Sequence, residues 1–119
     1  MTEPCPFCEI VAGRAPATVV ADWPDAFAIV PLRPVVEGHT LVIPKVHVPD
    51  FVFDPVVTAA TTNRAAQLAG EYPAGSMNLI TSRGPAATQS VFHLHLHLVP
   101  RTENDGLALP WHSGRTRRH

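Results

Sequence analysis

Three histidines occupy every second position of the run SVFHLHLHLVP, residues 90–100: His93, His95 and His97, with Leu94, Leu96 and Leu98 interleaved. Strict alternation reads as a strand, because successive side chains of a strand point to opposite faces. The leucines then face a core, and the imidazoles share the other face with neighbours roughly 6–7 Å apart. Imidazole titrates near neutrality, so such a row suits chemistry that needs a neutral, nucleophilic or ligating nitrogen. Burying three imidazoles as mere core residues would require three sets of hydrogen-bond partners. The residues alone leave two active readings open. A His-x-His pair such as His93 and His95 can reach one metal ion, the third ring lying roughly 13 Å from the first. Alternatively, one histidine attacks covalently while its far nitrogen is fixed by a hydrogen bond. A second chemical group is Cys5-x-x-Cys8, formed by the only two cysteines of the chain. By spacing it is either a pair of reduced thiols at a helix start or half of a four-ligand zinc site.

The elements that must position these groups are short. The chain has 119 residues and thirteen prolines, which fits one domain, 1–119, that turns often and has few long helices. A net charge of −1 argues against nucleic-acid binding, which needs a basic face. No apolar run approaches the roughly 18 residues of a membrane span. The start, MTEPCPFCEI, lacks the basic and apolar regions of a signal peptide, so a cytoplasmic location with reduced cysteines is expected.

Residues 5–13 suit a short helix ending at Gly13. TVVAD from Thr18 and AFAIV from Ala26 read as strands joined by the DWPD turn, with Trp23 packed on the core as an anchor. HTLVIP from His39 is a third strand, stopped by Pro44. The long proline-free interval after Pro55 suits a helix over 55–70, with Asp54 as N-cap, Gly70 as terminator and a weak stripe of Val57, Ala60, Thr61 and Leu68. MNLITS from Met77 is a fourth strand, followed by the loop SRGPAATQ and the histidine strand. The tail 102–119 has no clear period, and its end, GRTRRH, reads as solvated. The pattern is α+β, with an antiparallel sheet of about five strands, one main helix and a short N-terminal one.

The segment HLHLHLV, His93 to Val99, fits the pattern His-φ-His-φ-His-φ-φ with φ apolar. CPFCEIVAGRAPATVV, EGHTLVIPKVHV and TQSVFHLHLHLVPR extend the match over most of residues 5–101. The chain resembles a bacterial member of the histidine triad (HIT) superfamily of nucleotide hydrolases and transferases. The resemblance implies a HIT-like fold and a homodimer whose two sheets join. It implies cleavage at the α-phosphate of nucleoside phosphoramidates or related nucleotidyl conjugates, possibly dinucleoside polyphosphates, with a purine nucleotide the expected ligand. By that correspondence His95 is the nucleophile and carries a nucleotidyl intermediate. His97 stabilises phosphoryl charge, with Gln89 and Ser90 upstream, and His39 lies near the site. In the transferase branch glutamine typically replaces the third histidine, so His97 favours hydrolysis. Several relatives bind zinc through a Cys pair, a histidine after the central strand and the first triad histidine. Here these are Cys5, Cys8, His47 and His93, a structural zinc site.

The chain departs from the family where an acidic residue usually contacts ribose, now Pro31. It departs also at Ser82, where Asn or Gln is usual, and at Thr88, usually glycine. Ser82 and Thr88 are carried as candidate substrate contacts. Trp111 and His112 either border the site or pack on the surface, and Arg101 is either a phosphate partner or a strand-end charge. Two rival functions stand: a non-catalytic nucleotide-binding scaffold with the same fold, and a zinc hydrolase using His93 and His95 as catalytic metal ligands.

Overall fold

The computed structural model describes residues 4–115. Its elements run α1 (Pro6–Val11), β1 (Val19–Asp22), β2 (Ala26–Ile29), β3 (Thr40–Pro44), α2 (Pro55–Ala69), β4 (Met77–Ile80), a 3-10 turn (Pro85–Ala87) and β5 (Leu96–Pro100). The five strands form one sheet in the order β1-β2-β3-β5-β4, antiparallel throughout. This is the expected α+β architecture. Among the described residues no helix is long and apolar enough to cross a membrane.

Local chemistry accounts for both helices. The Asp54 carboxylate accepts from the N–H groups of Val56 and Val57, at 3.1 and 3.4 Å, and Pro55 occupies the first helical position. Gly70 ends α2 with ordinary right-handed geometry, φ −64°, so it is not used for left-handed freedom. The buried stripe of α2 is Thr61, Ala65 and Leu68, with Val57 partly buried, whereas Ala60 faces solvent. Thr61 enters the core because its hydroxyl donates to the Val57 carbonyl at 2.8 Å, leaving the methyl outward. At α1, the Cys5 sulfur accepts from the Cys8 N–H at 3.4 Å in the N-cap position.

Both faces of the central strands are covered. On one face Ala28, Val42, Leu96 and Leu98 pack with Leu94, Val48 and the α2 residues Ala65 and Leu68. On the other, Phe27, Ile29, Leu41 and Ile43 pack with Phe7 of α1. Leu94, Leu96 and Leu98 are 1–2% exposed, and burying each is worth about 2 kcal/mol. That anchoring fixes the outward direction of the histidines between them.

The histidine segment is only half a strand. β5 begins at Leu96, not at Ser90. The ladder with β3 runs from Thr40↔Leu98 to Val42↔Leu96 and stops. Pro44 has no N–H to extend it, and the Pro44 carbonyl is taken by the His93 ring. The Leu94 N–H turns instead to the Val48 carbonyl at 2.7 Å. His93, fully buried with its ring committed to the Pro44 carbonyl, therefore has different partners from His95 and His97.

Beyond β5, Arg101 organises the tail. Its guanidinium donates to both Asp105 oxygens (2.7 and 3.0 Å), to Asn78 Oδ1 (2.7 Å) and to the Leu107 carbonyl (2.6 Å). This holds the Asp105 carboxyl well below the usual carboxylate range. Of the terminal GRTRRH, residues 116–119 lie outside the described residues.

Candidate active site and metal centre

Cys5 and Cys8 of α1, His47 after β3 and His93 before β5 converge, their ligand atoms all within 4.8 Å of one another. The closest separations are 3.1 Å between the Nδ1 atoms of His47 and His93, and 3.3 Å from Cys5 Sγ to His93 Nδ1. Cys8 Sγ lies 3.3 Å from His47 Nδ1 and 3.5 Å from His93 Nδ1. A tetrahedral ion with Zn–N and Zn–S bonds of about 2.0–2.3 Å has edges of about 3.3–3.8 Å, and the four separations above, 3.1–3.5 Å, are close to that range. The tautomer of His93 agrees. Its Nε2 lies 2.7 Å from the Pro44 carbonyl, which only accepts, so Nε2 carries the proton and Nδ1 offers its lone pair to the cluster. Burial, then the neighbouring Cys5 thiol, pushes the Cys8 thiol up to about 11, so loading an ion must displace a proton. Thiolates with imidazoles suit zinc by softness. Among the described residues this is the one group of three or more potential ligands, and His95 is not in it.

The other two triad histidines form a separate arrangement. His95 is half-buried, and its Nδ1 lies 2.8 Å from the His93 carbonyl. Carbonyl oxygen cannot donate, so Nδ1 holds a proton, and in the neutral ring Nε2 keeps a lone pair. The His95 carbonyl in turn accepts from the Thr81 hydroxyl at 2.8 Å. The rings of His95 and His97 lie edge to face, centroids 5.2 Å apart.

The proton order of His97 follows from a backbone amide. The Val35 N–H donates to His39 Nδ1 at 3.1 Å, so neutral His39 carries its proton on Nε2. That atom lies 3.0 Å from His97 Nδ1 and must donate to it. Neutral His97 is thereby left with its proton on Nε2. A lone pair on His95 thus stands beside an N–H donor on His97: a nucleophile next to a group able to stabilise an oxyanion by hydrogen bonding.

Burial first, then His95 and His39, lowers His97 to about 4, and burial lowers His39. Both rings are therefore neutral near pH 7. The linkage has a definite sign. Protons bind the unfolded His97 first, so its contribution to stability is full above the ordinary value of 6.5 and is lost as pH falls towards about 4. Urea midpoints measured across that window are expected to fall more steeply for the wild-type chain than for His97→Asn. Parallel curves would remove His97 as a source of the dependence.

The loop residues have distinct positions. Gln89 is buried, and its amide is committed to the backbone: Oε1 accepts from Gly84 N–H, and Nε2 donates to the carbonyls of Pro49 and Val91. It braces the loop rather than presenting a free amide. Ser90 and Thr88 are exposed, and Thr88 adopts a left-handed φ of 71°. A β-branched residue is strained there, which explains why glycine would suit the position. Ser82, half-buried, follows Thr81, whose hydroxyl binds the His95 carbonyl. Pro31 opens the loop to His39 and supplies no side-chain donor or acceptor. Arg101 is used internally, as described above. Trp111 and His112 lie in a tail turn closed by Leu109 and His112 backbone bonds, Trp111 being 75% exposed. Sequence reasoning missed the Val35 amide, the Pro44 carbonyl and the Thr81 hydroxyl; backbone groups carry no residue signature, and Thr81 reads as an ordinary strand residue.

The family model for the HIT domain matches residues 12–104. The chain belongs to the HIT domain family. Among HIT relatives it is 34% identical over 120 residues to an adenylylsulfatase of Arabidopsis thaliana, covering 97% of this chain and 59% of the plant protein. The chain thus spans little more than half of that relative's length. It is 32% identical over 115 residues to an adenosine 5'-monophosphoramidase of Saccharomyces cerevisiae, covering 90% of this chain and 69% of the yeast protein. A crystal structure of a zinc-bound histidine triad family protein from Mycobacterium smegmatis superposes with a TM-score of 0.74 at 37% identity, covering 96% of this chain and 84% of that one. HIT relatives therefore include named hydrolases of nucleotide conjugates, and a zinc-bound member shares this fold.

Proposed function

We propose that this HIT chain hydrolyses nucleoside phosphoramidates or related nucleotidyl conjugates at the α-phosphate, through a nucleotidyl intermediate on His95. The observation that carries the reading is the bond from His95 Nδ1–H to the His93 carbonyl, which leaves Nε2 as a free base beside His97. In the first step Nε2 attacks phosphorus and the phosphorus–nitrogen bond to the leaving group breaks. The His97 Nε2–H donates to a phosphoryl oxygen and stabilises its charge, and the departing amine takes its proton from solvent. In the second step water attacks phosphorus and loses a proton to solvent, the bond to His95 breaks and a nucleoside monophosphate leaves. Dividing one displacement into two is the gain from a covalent nucleophile.

The Cys5, Cys8, His47 and His93 cluster holds structural zinc in this reading. It supports the His95 backbone without entering the chemistry. A zinc hydrolase using His93 and His95 together is disfavoured, because His95 lies outside the four-ligand group and its Nδ1 is already engaged. The chain acts as one cytoplasmic domain and pairs as a homodimer through the edge strand β4, where Leu79 and Ile80 are 45% and 37% exposed. A purine nucleotide is the ligand class that the yeast and plant relatives suggest.

The test is a rapid-quench reaction with adenosine 5'-phosphoramidate, read by intact mass and by release of AMP. A transient adduct of one adenylyl group, mapping to His95, is expected. Turnover with the adduct on another residue would transfer the nucleophile there, and neither adduct nor AMP would remove the reading.

A further inference from the structure

Phe7 belongs to neither the ligand set nor the histidine relay, yet it touches both. It sits between the two cysteines in Cys5-Pro6-Phe7-Cys8 and is 7% exposed. Its ring meets His93 edge-on, centroids 5.7 Å apart at 86°, and meets His95 at 5.2 Å and 70°. Elsewhere it rests on the sheet residues Phe27, Ile29, Leu41 and Ile43. One aromatic side chain, carried by the metal-binding turn, therefore contacts both a metal ligand and the imidazole that offers a free nitrogen.

His95 needs such a contact. Its ring makes a single hydrogen bond, from Nδ1 to the His93 carbonyl, and the torsion of a half-buried imidazole about its ring bond is broad. Rotation would break that bond and remove the reason for the proton to stay on Nδ1. An edge-to-face aromatic contact restrains this rotation, because the ring edge and face are electrostatically matched in one orientation. The position of Phe7 is set in turn by α1, whose first turn is fixed by the two cysteine ligands.

We infer that Phe7 is a positioning residue that couples the metal-binding turn to His95, holding the imidazole in the orientation and tautomer that present Nε2. The kinetic half of this inference rests on the reading of His95 as nucleophile; the tautomer half does not.

The test uses the full, metal-loaded chain and two variants, Phe7→Leu, which keeps apolar volume without the ring, and Phe7→Ala. Four quantities are measured: bound metal, thermal midpoint, kcat and KM separately, and the ¹⁵N shifts of the His95 ring nitrogens without substrate. The expected result is retained metal, kcat lower by about tenfold or more with KM within about twofold, as for a mispositioned catalytic group. The His95 shifts should move from a single Nδ1–H form to a mixture of tautomers. The Leu variant decides the matter if Ala fails to fold. Unchanged kcat with unchanged shifts overturns the inference. A raised KM with intact kcat also overturns it, since Phe7 would then only contact the bound nucleotide. Loss of metal from the Leu variant overturns it too, reducing Phe7 to a prop of the cluster. If the wild-type chain turns over no conjugate, the hydrolase reading fails, and the ¹⁵N comparison still judges Phe7.

Discussion

His95→Asn is expected to release nucleoside monophosphate from an adenosine phosphoramidate on the order of 10⁴-fold more slowly than the wild-type chain, because removing a covalent nucleophile closes the two-step route. The variant keeps a small polar side chain where the imidazole was half-buried, and it loses one hydrogen bond, worth about 1 kcal/mol. The thermal midpoint should therefore move by only a few degrees. That contrast separates lost chemistry from lost fold. His97 and His39 remain neutral and in place, so nucleotide binding measured by calorimetry should persist in the inactive variant. Equal rates for the two proteins would refute the mechanism, and unfolding of His95→Asn would show the ring to be a structural member.

Removing the metal is expected to produce the second large effect, on stability. The cluster joins Cys5 to His93 across 88 positions of sequence, and it draws in His47 from the segment after β3. Cross-linking a loop of that length is worth about 4–5 kcal/mol by chain entropy alone. For a domain of this size that corresponds to a fall in midpoint of about 15 °C or more after chelation. Cys8→Ser should shift the midpoint in the same direction, and zinc should restore the chelated wild type but not the variant. A chelated protein with an unchanged midpoint and no activity would instead place the ion in the chemistry.

Several of these features are legible in the sequence. Asp54, Pro55 and Gly70 marked the ends of α2 because caps and proline act locally. The alternation of Leu94, Leu96 and Leu98 with histidine gave the core side of the segment, because side-chain direction depends on neighbouring positions only. The break of the strand at His95 was hidden, since it depends on Pro44 facing this segment across the sheet. The inward turn of Gln89 was hidden as well: an amide serves a ligand or a backbone equally well, and three distant partners decide. Spacing alone left Cys5 and Cys8 ambiguous. The family resemblance supplied His47 and His93, and the fold brings all four together. Ala60 faces solvent while Thr61, Ala65 and Leu68 form the buried stripe, because in so weakly amphipathic a helix the packing against the sheet, not the residue types, sets the buried face.

The amide of Val35 has a wider meaning. The arrangement of protons on two imidazoles begins at a main-chain group that every amino acid except proline carries. The side chain at that position is 53% exposed and takes no part. The side chain at position 35 can therefore change to any residue but proline while the donor that orders the two imidazoles is kept. A new binding preference can arise there without re-evolving the reaction.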